Sequence, residues 1–395
     1  MPPSTRKPRV LIVGPTMQQT GGVGMFTEVL LGSTLSERFT LRHLNTTRGK
    51  AGAGKVATWH PINFAYFGRQ ALQLLVILAT WHPDLMHQPI TDRVSFWKEA
   101  ALMLLARLFG VRVIGHLHGN DFFAGFERQG WITRRLTRRA LHLPHVIIAL
   151  SEGWRRILLE NVAADLTIAV VPSVIPPAFA ALAEDPAPVE RRDPCTVLYL
   201  GSLGTRKGLL DALRAVPLVR AGVPEARFVF AGALELGRER PLVERACASA
   251  QAHGGVSFPG RVNDDEKLAL YREASLFILP SYRENFPSSV LEAMAAGLPV
   301  VVTPVGALTE LLQDGVNGYF VAPGDDRALA RRIVELARDP VLREAMGRAN
   351  RARVRGAFTP AIVFGQIGDL YAQVLNGDLA GARLSSQEAP HESAS

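Results

Sequence analysis

The strongest constraint on the fold is an alternation of short apolar, β-branched runs with longer helical patterns. In the first part of the chain the runs fall at residues 10–13, 85–88, 111–118, 146–150 and 168–171, and in the second part at 196–200, 227–231, 256–259, 276–279, 300–303 and 319–321. Because helices separate successive runs, the strands cannot pair as hairpins. The alternation therefore predicts parallel sheets with helices on both faces and ligand-binding loops at the carboxyl ends of the strands.

A proline-rich stretch interrupts this alternation at residues 171–194, where prolines stand at 172, 176, 177, 186, 188 and 194. Proline supplies no ladder donor and breaks helices, so we predict a domain boundary here. The predicted organisation is a first Rossmann-like domain over 1–175, a linker over 176–194, a second Rossmann-like domain over 195–358, a helix over 359–376 and a disordered tail over 377–395. The predicted fold class is α/β, with two doubly wound domains and a cleft between them.

Composition excludes several other classes. The 395 residues are 48% hydrophobic and 20% charged, which is ordinary for a globular protein. Cys195 and Cys247 are the two cysteines and lie 52 residues apart without a C-x-x-C pattern, which argues against a disulfide scaffold or a structural zinc site. Apolar runs fall short of the roughly 20 residues of a bilayer span, and only the short VLIVG follows the basic start, so we expect neither a membrane span nor a signal peptide. We therefore expect a cytoplasmic protein.

The net charge of +8 is concentrated in the first part of the chain. Residues 1–180 carry 20 Lys and Arg against 10 Asp and Glu, while the remainder carries 24 against 26. The excess suggests an anionic partner, such as a phospholipid surface, a phosphorylated substrate or nucleic acid, although basic residues also serve simply to keep a domain in solution.

The most informative segment is SYRENFPSSVLEAMAAGLPV at residues 281–300, which follows the apolar strand FILP. Pro287 suits the first turn of a helix and Gly297 its end. The free N–H groups of Ser288 and Ser289 and the helix dipole would then form an anion site suited to a diphosphate. Glu284 before the helix and Glu292 inside it are placed to accept hydrogen bonds from hydroxyl groups on either side of that phosphate, one from a sugar and one from a ribose.

Two other glycine loops follow strands. Gly21 and Gly22 precede an amphipathic helix, where glycine allows either a tight turn or the approach of a ligand. Arg206 and Lys207 end the loop GSLGTRKG. They are either a solvated pair or cations that neutralise a departing diphosphate, and their unfavourable position at a helix start favours the second interpretation.

His118, in the segment HLHGND, ends a strand, where it either contacts a ligand or packs. Its pairing with His116 also permits a zinc site, but few histidines follow to complete one, and we predict no metal. The segment GKAGAGKV at 49–56 nearly spells a phosphate-binding P-loop, but Val56 stands where Ser or Thr must hold magnesium. We interpret residues 46–60 as a mobile basic loop.

Taken together, Glu284 and Glu292 with seven residues between them, the downstream GLPVVVTPVGALTELLQDGVNGYFVAPGD, the RKG loop and the first glycine loop resemble the retaining glycosyltransferases of family 4, which have the GT-B fold. The similarity spans nearly the whole chain. The resemblance implies an enzyme that transfers a hexosyl group from a nucleoside-diphosphate-sugar co-substrate, with retention of configuration, by front-face attack and with no further cofactor.

The resemblance also implies roles for individual residues. Glu292 would bind the ribose hydroxyls and Glu284 the hydroxyls of the donor sugar, while His118 would touch that sugar near its anomeric centre. The remaining donor contacts would come from Gly21, Gly22, Lys207, Asn285, Phe286, Pro287, Ser288 and Ser289, with the base near Arg261 and Val262. Ser202 stands where the family usually has an arginine, and Arg206 is the candidate to replace it.

The expected acceptor is a glycan or glycolipid in cell-envelope, lipid-linked or exopolysaccharide synthesis. The segment 131–143 reads as a helix with Ile132, Leu136 and Leu143 near one face and four arginines mostly on another. It is either an ordinary surface helix or one that lies on the anionic inner face of the plasma membrane, making the enzyme a peripheral membrane protein.

Alternative functions are another GT-B enzyme, such as a sugar-nucleotide epimerase or a phosphorylase, or a non-catalytic binder of nucleotides or nucleic acid. The chain shows no aromatic and basic stacking surface and no recognition helix, so we expect no nucleic-acid partner.

Overall fold

The computed structural model describes residues 6–16, 22–47, 61–119, 121–184, 195–235, 237–252 and 254–378. The chain divides into two compact units. The first unit comprises Met1–Ser173 together with Pro360–Ser395, and the second comprises Val174–Thr359.

The first unit contains a parallel sheet covered by helices. Its strands are β1 (Arg9–Gly14), β2 (Thr40–Asn45), β3 (Leu85–Ile90), β4 (Arg112–Leu117), β5 (Val146–Ala149) and β6 (Ile168–Val170). Its helices are α1 (Gly22–Leu31), α2 (Leu35–Arg38), α3 (Pro61–Trp81), α4 (Arg93–Leu108), α5 (Phe122–Glu127), α6 (Trp131–Leu141) and α7 (Glu152–Asn161). The strands β3 and β5 are buried along their whole length, as expected for strands covered on both faces.

The second unit repeats this architecture. Its strands are β7 (Thr196–Leu200), β8 (Arg227–Ala231), β9 (Val256–Gly260), β10 (Leu276–Leu279), β11 (Val300–Val302) and β12 (Gly318–Phe320). Its helices are α8 (Pro177–Glu184), α9 (Leu209–Gly222), α10 (Arg240–Ala252), α11 (Asp264–Glu273), α12 (Ser288–Ala295), α13 (Leu308–Leu311), α14 (Asp326–Arg338) and α15 (Pro340–Ala357).

Strand order locates the ligand-binding edge of each sheet. The first sheet has the order β2-β1-β3-β4-β5-β6 and the second the order β12-β11-β10-β7-β8-β9, with all pairs parallel. The chain reverses its direction across the sheet between β1 and β3 in the first unit and between β7 and β10 in the second. Ligands of open α/β sheets bind beyond the carboxyl ends of the strands at such a switch point. The predicted class of two doubly wound parallel α/β units is confirmed.

The last helix, α16 (Pro360–Asn376), belongs to the first unit. It buries Phe364 and Tyr371, and Phe364 lies against the ring of Phe26 on α1. Asp369 pairs with Arg38 of α2 at 2.9 Å. The helix therefore packs on the first unit through its apolar face, although it follows the second unit in sequence.

The predicted linker is wrong over residues 177–184, which form α8. Pro177 supplies the fixed φ that suits the first turn of a helix, and Phe179, Leu182 and Ala183 bury their side chains in the core of the second unit. The second unit consequently begins at Val174 rather than at residue 195, and the first part of the first unit ends at Ser173 rather than at residue 175. Residues 185–194 of the predicted linker, and residues 379–395 of the predicted tail, lie outside the described residues.

Two elements of the first unit escaped sequence analysis. The strand β2 has the polar sequence TLRHLN and buries only Leu44, because it is an edge strand whose backbone pairs with β1. The helix α3 spans Pro61–Trp81, for which the sequence pattern gave no bounds. Within the described part of the chain, no helix is both long enough and apolar enough to cross a membrane.

Candidate active site

Two loops meet at the switch point of the second sheet. One follows β7 and ends in a single 3₁₀ turn over Thr205–Lys207, and the other follows β10 and leads into α12. The N–H of Tyr282 donates to the carbonyl of Arg206 at 2.9 Å, which joins the loops directly. Gly208 makes this approach possible, since its φ of +70° suits glycine and a side chain there would overlap the carbonyl oxygen of Pro280.

Lys207 and Glu284 form a buried ion pair across these loops. The Nζ of Lys207 lies 2.6 Å from Oε1 of Glu284, and the hydroxyl of Ser281 donates to the same oxygen at 2.7 Å. Only 14% of the Lys207 side chain and 2% of the Glu284 side chain are exposed. The Tyr199 hydroxyl donates to the carbonyl of Lys207 at 3.3 Å and so stabilises the 3₁₀ turn that carries Lys207. The predicted phosphate-binding cation and the predicted sugar-binding carboxylate are therefore in direct contact.

Arg206 is held by an acidic residue that sequence analysis missed. Its Nη2 lies 3.4 Å from Oε1 of Glu235, and the hydroxyl of Ser202 donates to the same oxygen. Its Nη1 donates to the carbonyl of Arg283 at 3.4 Å. Glu235 follows β8, the neighbour of β7, so its place beyond the carboxyl edge of the sheet was the available signal.

Glu292 lies on α12 with both oxygens occupied. Lys267 Nζ lies 3.0 Å from Oε1. The hydroxyl of Tyr271 lies 3.1 Å from Oε2 and 2.9 Å from the carbonyl oxygen of Ser289, and its single hydrogen is shared between these two acceptors. Lys267 and Tyr271 are four residues apart on α11 and so share one helix face. A capping box between Asn263 and Glu266 fixes the start of that helix.

Burial and charge oppose each other at Glu292. Burial raises the pKa of its carboxyl, while the ammonium of Lys267 lowers it in part. For Lys267, burial alone would lower the pKa, but the carboxylates of Glu292 and Asp264 outweigh burial and raise it. Neither Lys267 nor Tyr271 is predicted from the sequence, because the contacts of both depend on the packing of α11 beside α12.

The start of α12 offers backbone donors. Pro287 has an extended backbone and precedes the helix, and among the described residues neither the Ser288 nor the Ser289 N–H has an acceptor. Asn285 is fixed in the loop before them, since its carbonyl accepts from the N–H of Ala307 at 2.9 Å. Phe286 packs against the ring of Phe358. These donors lie in the same segment as Glu284 and Glu292.

The other predicted site residues lie apart from this cluster. Arg261 is exposed and Val262 half-buried in the loop before α11, at the carboxyl end of the edge strand β9. Gly22 begins α1 in the first unit, where a Cβ would meet open space. Gly21 and the P-loop-like segment 49–56 lie outside the described residues.

His118 belongs to a cluster of neutral histidines in the first unit. Its ring lies 4.1 Å from that of His116, centroid to centroid. The Nδ1 of His116 lies 3.2 Å from Nε2 of His87, whose Nδ1 lies 2.5 Å from the Tyr371 hydroxyl on α16. The sequence pattern marks His116 and His118 but carries no signal for His87 and Tyr371.

The histidines of this cluster are uncharged at neutral pH. Burial lowers the pKa of His118 to about 4, and burial together with the neighbouring His118 lowers the pKa of His87 to about 3. Burial and both neighbours hold the pKa of His116 well below its usual value. Among the described residues, no group of three or more His, Cys, Asp or Glu side chains is placed to hold a metal ion.

The helix α6 exposes the apolar side that the sequence pattern marks. Trp131, Ile132 and Leu136 are exposed, at 75%, 56% and 46%, and the side that packs on the unit instead carries Thr137, Ala140 and Leu141. Two of its four arginines turn back onto the protein, because Arg134 donates to the carbonyl of Phe126 and Arg138 to that of Val162. The packed side is made of small and apolar groups whose periodicity the stronger Trp-Ile-Leu pattern conceals in the sequence.

Comparisons with known proteins agree with this arrangement. The family described as "Glycosyl transferases group 1" matches residues 183–353, and the "Glycosyl transferase 4-like domain" matches residues 32–173, so that together they match most of the chain. The chain is 28% identical to glycogen synthase of Mycobacterium tuberculosis over 308 residues, covering 76% of this chain and 71% of that protein.

Two further comparisons gave matches, one in sequence over about half of the chain and one in overall fold. The chain is 35% identical to phosphatidyl-myo-inositol mannosyltransferase of Mycobacterium leprae over 181 residues, covering 45% of this chain and 46% of that protein. The solved structure of sucrose-phosphate synthase from Thermosynechococcus elongatus superposes with a TM-score of 0.73 at 22% identity, covering 94% of this chain and 100% of that one. The chain therefore belongs to the group 1 glycosyltransferases of family 4 and is a glycosyltransferase with the GT-B fold.

Proposed function

We propose that this glycosyltransferase moves a hexosyl group, with retention of configuration, from a nucleoside-diphosphate sugar to a hydroxyl group of a glycan or glycolipid acceptor in cell-envelope or exopolysaccharide synthesis. It works in the cytoplasm on the inner face of the plasma membrane and needs neither a metal ion nor a further cofactor. The observation that carries the proposal is the convergence of Lys207, Glu284 and the start of α12 at the switch point of the second sheet.

The Lys207–Glu284 pair suits a site for a sugar diphosphate. The Lys207 ammonium has three N–H groups. One of them donates to Glu284, and the other two remain to donate to phosphate oxygens. The unpaired N–H groups of Ser288 and Ser289 add a partial positive charge at the helix start. Glu284, fixed by Lys207 and Ser281, then keeps a carboxylate ready to accept from sugar hydroxyls.

In the proposed step the acceptor oxygen forms a bond to the anomeric carbon while the bond from that carbon to the diphosphate oxygen breaks. The electron pair of the broken bond goes to the diphosphate, which also takes the proton of the acceptor hydroxyl. Lys207 and the α12 donors stabilise the charge that develops on the departing oxygen, and Arg206 contributes from its place beside Glu235.

Glu292 is the proposed ligand of the ribose hydroxyls, because Lys267 and Tyr271 fix its two oxygens while leaving each a free lone pair direction. In the first unit, His118 is neutral and keeps one ring N–H, so it is suited to donate to an uncharged sugar oxygen. We propose that Gly22 contacts the diphosphate and that Arg261 and Val262 lie near the base.

Calorimetric titration with UDP, GDP and ADP, without added metal, tests the donor site. We expect one nucleotide to bind and Glu292→Ala to weaken it by about 1–3 kcal/mol, as for the loss of hydrogen bonds to a charged group. Glu225→Ala, at an exposed position of the same unit, is the matched control and should leave binding unchanged. If no nucleotide binds the unaltered protein, the transferase assignment of this site is wrong. Product analysis with donor alone separates transfer from epimerisation.

The membrane part of the proposal rests on α6. Its outward side combines Trp131, Ile132 and Leu136 with the exposed Arg135 and Arg139, which is the composition of a helix that lies in a membrane interface. The relative from Mycobacterium leprae is named as acting on a phosphatidylinositol, which is an anionic lipid.

Sedimentation with vesicles of phosphatidylcholine and phosphatidylglycerol tests this surface. Binding should require the anionic lipid and decrease with salt. Ile132→Glu should abolish binding, whereas Val341→Glu, at a still more exposed apolar position in the second unit, should not. Absence of binding at low salt would contradict the membrane proposal and leave the donor site untouched.

A further inference from the structure

A chain of buried polar rings runs through the first unit from α16 to β4. The hydroxyl of Tyr371 on α16 lies 2.5 Å from Nδ1 of His87, and Nε2 of His87 lies 3.2 Å from Nδ1 of His116. All three side chains are buried. The ring of His118, just beyond the end of β4, lies against that of His116, with the two planes 36° apart. We call Tyr371, His87 and His116 the Tyr371 chain.

The Tyr371 chain can hold its hydrogens in two arrangements. Burial lowers the pKa of His87 to about 3 and that of His116 well below its usual value, so each imidazole is neutral and carries one N–H. With its hydrogen on Nε2, His87 donates to Nδ1 of His116, whose own hydrogen is then on Nε2. With its hydrogen on Nδ1, His87 instead accepts from an Nδ1–H of His116. The tautomers of the two histidines are therefore coupled.

The hydroxyl of Tyr371 favours the first arrangement. Within the described part of the chain, Nδ1 of His87 is the one hydrogen-bond partner of this buried hydroxyl. When the hydroxyl donates to Nδ1, only Nε2 of His116 is left unpaired. When the hydroxyl accepts from Nδ1, the hydroxyl hydrogen and Nε2 of His116 are both unpaired. Since each buried unpaired group is unfavourable, Tyr371 selects the tautomers that carry hydrogen on Nε2.

The far end of the Tyr371 chain is unpaired. Nε2 of His116 is buried and has no hydrogen-bond partner among the described residues. A buried polar network that is only partly satisfied contributes less stability than well-packed apolar side chains, so stability alone gives no reason for this chain. Its end lies beside His118 and beside Phe26 of α1, whose rings are 4.1 Å and 4.7 Å from that of His116, centroid to centroid. The Tyr371 chain therefore ends at the histidine that the proposed function assigns to the donor sugar.

The orientation of His118 depends on these neighbours. Its side chain is half-buried and has no hydrogen bond to any other described residue. The rings of His116 and Phe26 lie 4.1 Å and 5.3 Å from its own, centroid to centroid. Phe26 offers only an apolar ring, whereas the ring of His116 is fixed by its hydrogen bond with His87. A side chain that donates one N–H to one sugar oxygen needs such a fixed ring plane.

We propose that Tyr371 and His87 are positioning residues for the transfer reaction. They hold His116 in one tautomer and one orientation, and His116 in turn holds the ring of His118. The proposal rests on the proposed function, since it assumes that His118 contacts the donor sugar near its anomeric centre. Tyr371 lies on α16, so a helix that contributes no proposed substrate contact determines the geometry of a group that does.

Transfer kinetics with Tyr371→Phe and with two variants of His87 test this role. Tyr371→Phe keeps the buried ring and removes the hydroxyl, so kcat should fall about tenfold as His118 loses its fixed orientation. Nucleotide affinity should not change, because neither Tyr371 nor His118 is a proposed nucleotide contact. His87→Gln can still donate to Nδ1 of His116 through its amide, whereas His87→Leu cannot, so the Gln variant should keep most of the activity that the Leu variant loses. Tyr319→Phe, which removes a hydrogen-bonded hydroxyl in the second unit, is the matched control and should keep kcat.

Nitrogen-15 NMR of the histidine-labelled full chain gives a readout that packing alone would not move. In the unaltered protein the two nitrogens of His116 should show one tautomer, with the hydrogen on Nε2, and in Tyr371→Phe they should show a mixture of tautomers. An unchanged tautomer, an unchanged kcat, or an equal loss of kcat in His87→Gln and His87→Leu overturns the proposal. If the unaltered protein binds no nucleotide, the proposed function fails instead, while the tautomer of His116 still tests the hydrogen bonds of the Tyr371 chain.

Discussion

The titratable groups at the candidate site of the second unit form ion pairs, whereas the histidine cluster of the first unit is neutral. Lys207 with Glu284 and Lys267 with Glu292 are ion pairs at a sheet edge, while His87, His116 and His118 form an uncharged cluster. Buried ion pairs can be rearranged around an incoming anion, whereas neutral donors and acceptors suit uncharged hydroxyl groups. Under the proposed function, we expect the ion pairs to serve the charged diphosphate and the neutral histidines to serve the sugar ring.

The largest expected effect comes from removing the cation of the Lys207–Glu284 ion pair in the second unit. Lys207→Ala should lower kcat by about 10²–10³-fold, because the lost ammonium stabilises charge that appears only as the diphosphate leaves. Nucleotide affinity should fall less, since the α12 donors and Glu292 remain. Transfer kinetics with the donor whose base binds best measure both quantities, and Lys7→Ala is the control for loss of a lysine elsewhere. An unchanged kcat would remove Lys207 from the mechanism.

Lys207→Ala should also lower the stability of the protein, and this loss must be distinguished from the loss of kcat. Without its cation, the buried Glu284 carboxylate loses its main partner, and such a loss costs up to about 3–5 kcal/mol in fully buried pairs. Lys207→Ala combined with Glu284→Gln should recover much of the thermal stability without recovering kcat. Recovery of kcat in the double variant would mean that Lys207 acts only by stabilising the loop.

The second prediction concerns Lys267, which we expect to keep Glu292 ionised. Lys267→Met removes the ammonium that lowers the pKa of the Glu292 carboxyl, so that burial raises this pKa further. Ribose binding needs the carboxylate, which exists above its pKa, so the loss of affinity on acidification should begin at a higher pH in the variant. Nucleotide affinity at pH 6 should fall about tenfold and recover in part at pH 8.5.

Titration calorimetry between pH 5.5 and 8.5 measures the shift, and Lys267→Arg should restore the original pH dependence because it keeps the charge. A loss of affinity that is equal at every pH would show that Lys267 only supports the packing of α11 against α12.

The third prediction uses the opposite pKa shifts of the histidine cluster in the first unit and of Glu292 in the second. Histidines with lowered pKa values take up protons on unfolding below about pH 6.5, so the stability they support falls as the pH drops from 6.5 toward 3–4. Glu292 has a raised pKa, so its stability contribution is complete at low pH and is lost as the pH rises through the folded value. Acid should therefore weaken the packing around the histidine cluster on β3 and β4, while it favours the protonated form of Glu292.

Hydrogen exchange at pH 7, 6 and 5, corrected for the intrinsic rate, tests this contrast. Peptides from β3 and β4 should lose protection by about tenfold per pH unit for each histidine that takes up a proton, while peptides from α12 should not. Tyr371→Phe should reduce protection in β3 already at pH 7, since it removes the partner of His87. Equal acid sensitivity of both units would contradict the assignment of neutral histidines.

Much of the fold was predictable because apolar strands and helical periods repeat along the chain. Inner strands such as β1, with VLIV, and β10, with LFIL, carry apolar runs that suit parallel strands covered on both faces. By contrast, β2 is held by its backbone pairing with β1 and has no apolar run, and α8 was concealed by its prolines. The local sequence pattern predicts strands and helices that bury apolar side chains. It does not predict elements such as β2, whose formation depends on pairing with a neighbouring strand.

The candidate site divides in the same way. Glu284, Glu292 and Lys207 stand in segments whose turn residues mark a strand, a loop and a helix, so their place at the sheet edge followed from the sequence. Lys267 and Glu235 belong to other elements, and their contacts with Glu292 and Arg206 arise only when α11 and the loop after β8 pack beside them. Partners brought together by tertiary packing carry no local signal.

The smallest expected effect concerns Arg206. The family resemblance expects an arginine at the position of Ser202, and Arg206 is the candidate to replace it. The Arg206–Glu235 pair is about one-third exposed on each side, at 32% and 34%, so it is worth at most about 1 kcal/mol. Glu235→Gln should free Arg206 to approach the diphosphate and raise kcat/KM for the donor about two- to fivefold, with Glu239→Gln as the control. Arg206→Ala should cancel that gain, because the benefit passes through the guanidinium. A gain that persists without Arg206 would mean that the charge of Glu235 itself repels the phosphate. It would also mean that Arg206 does not replace the arginine that the family resemblance expects at Ser202.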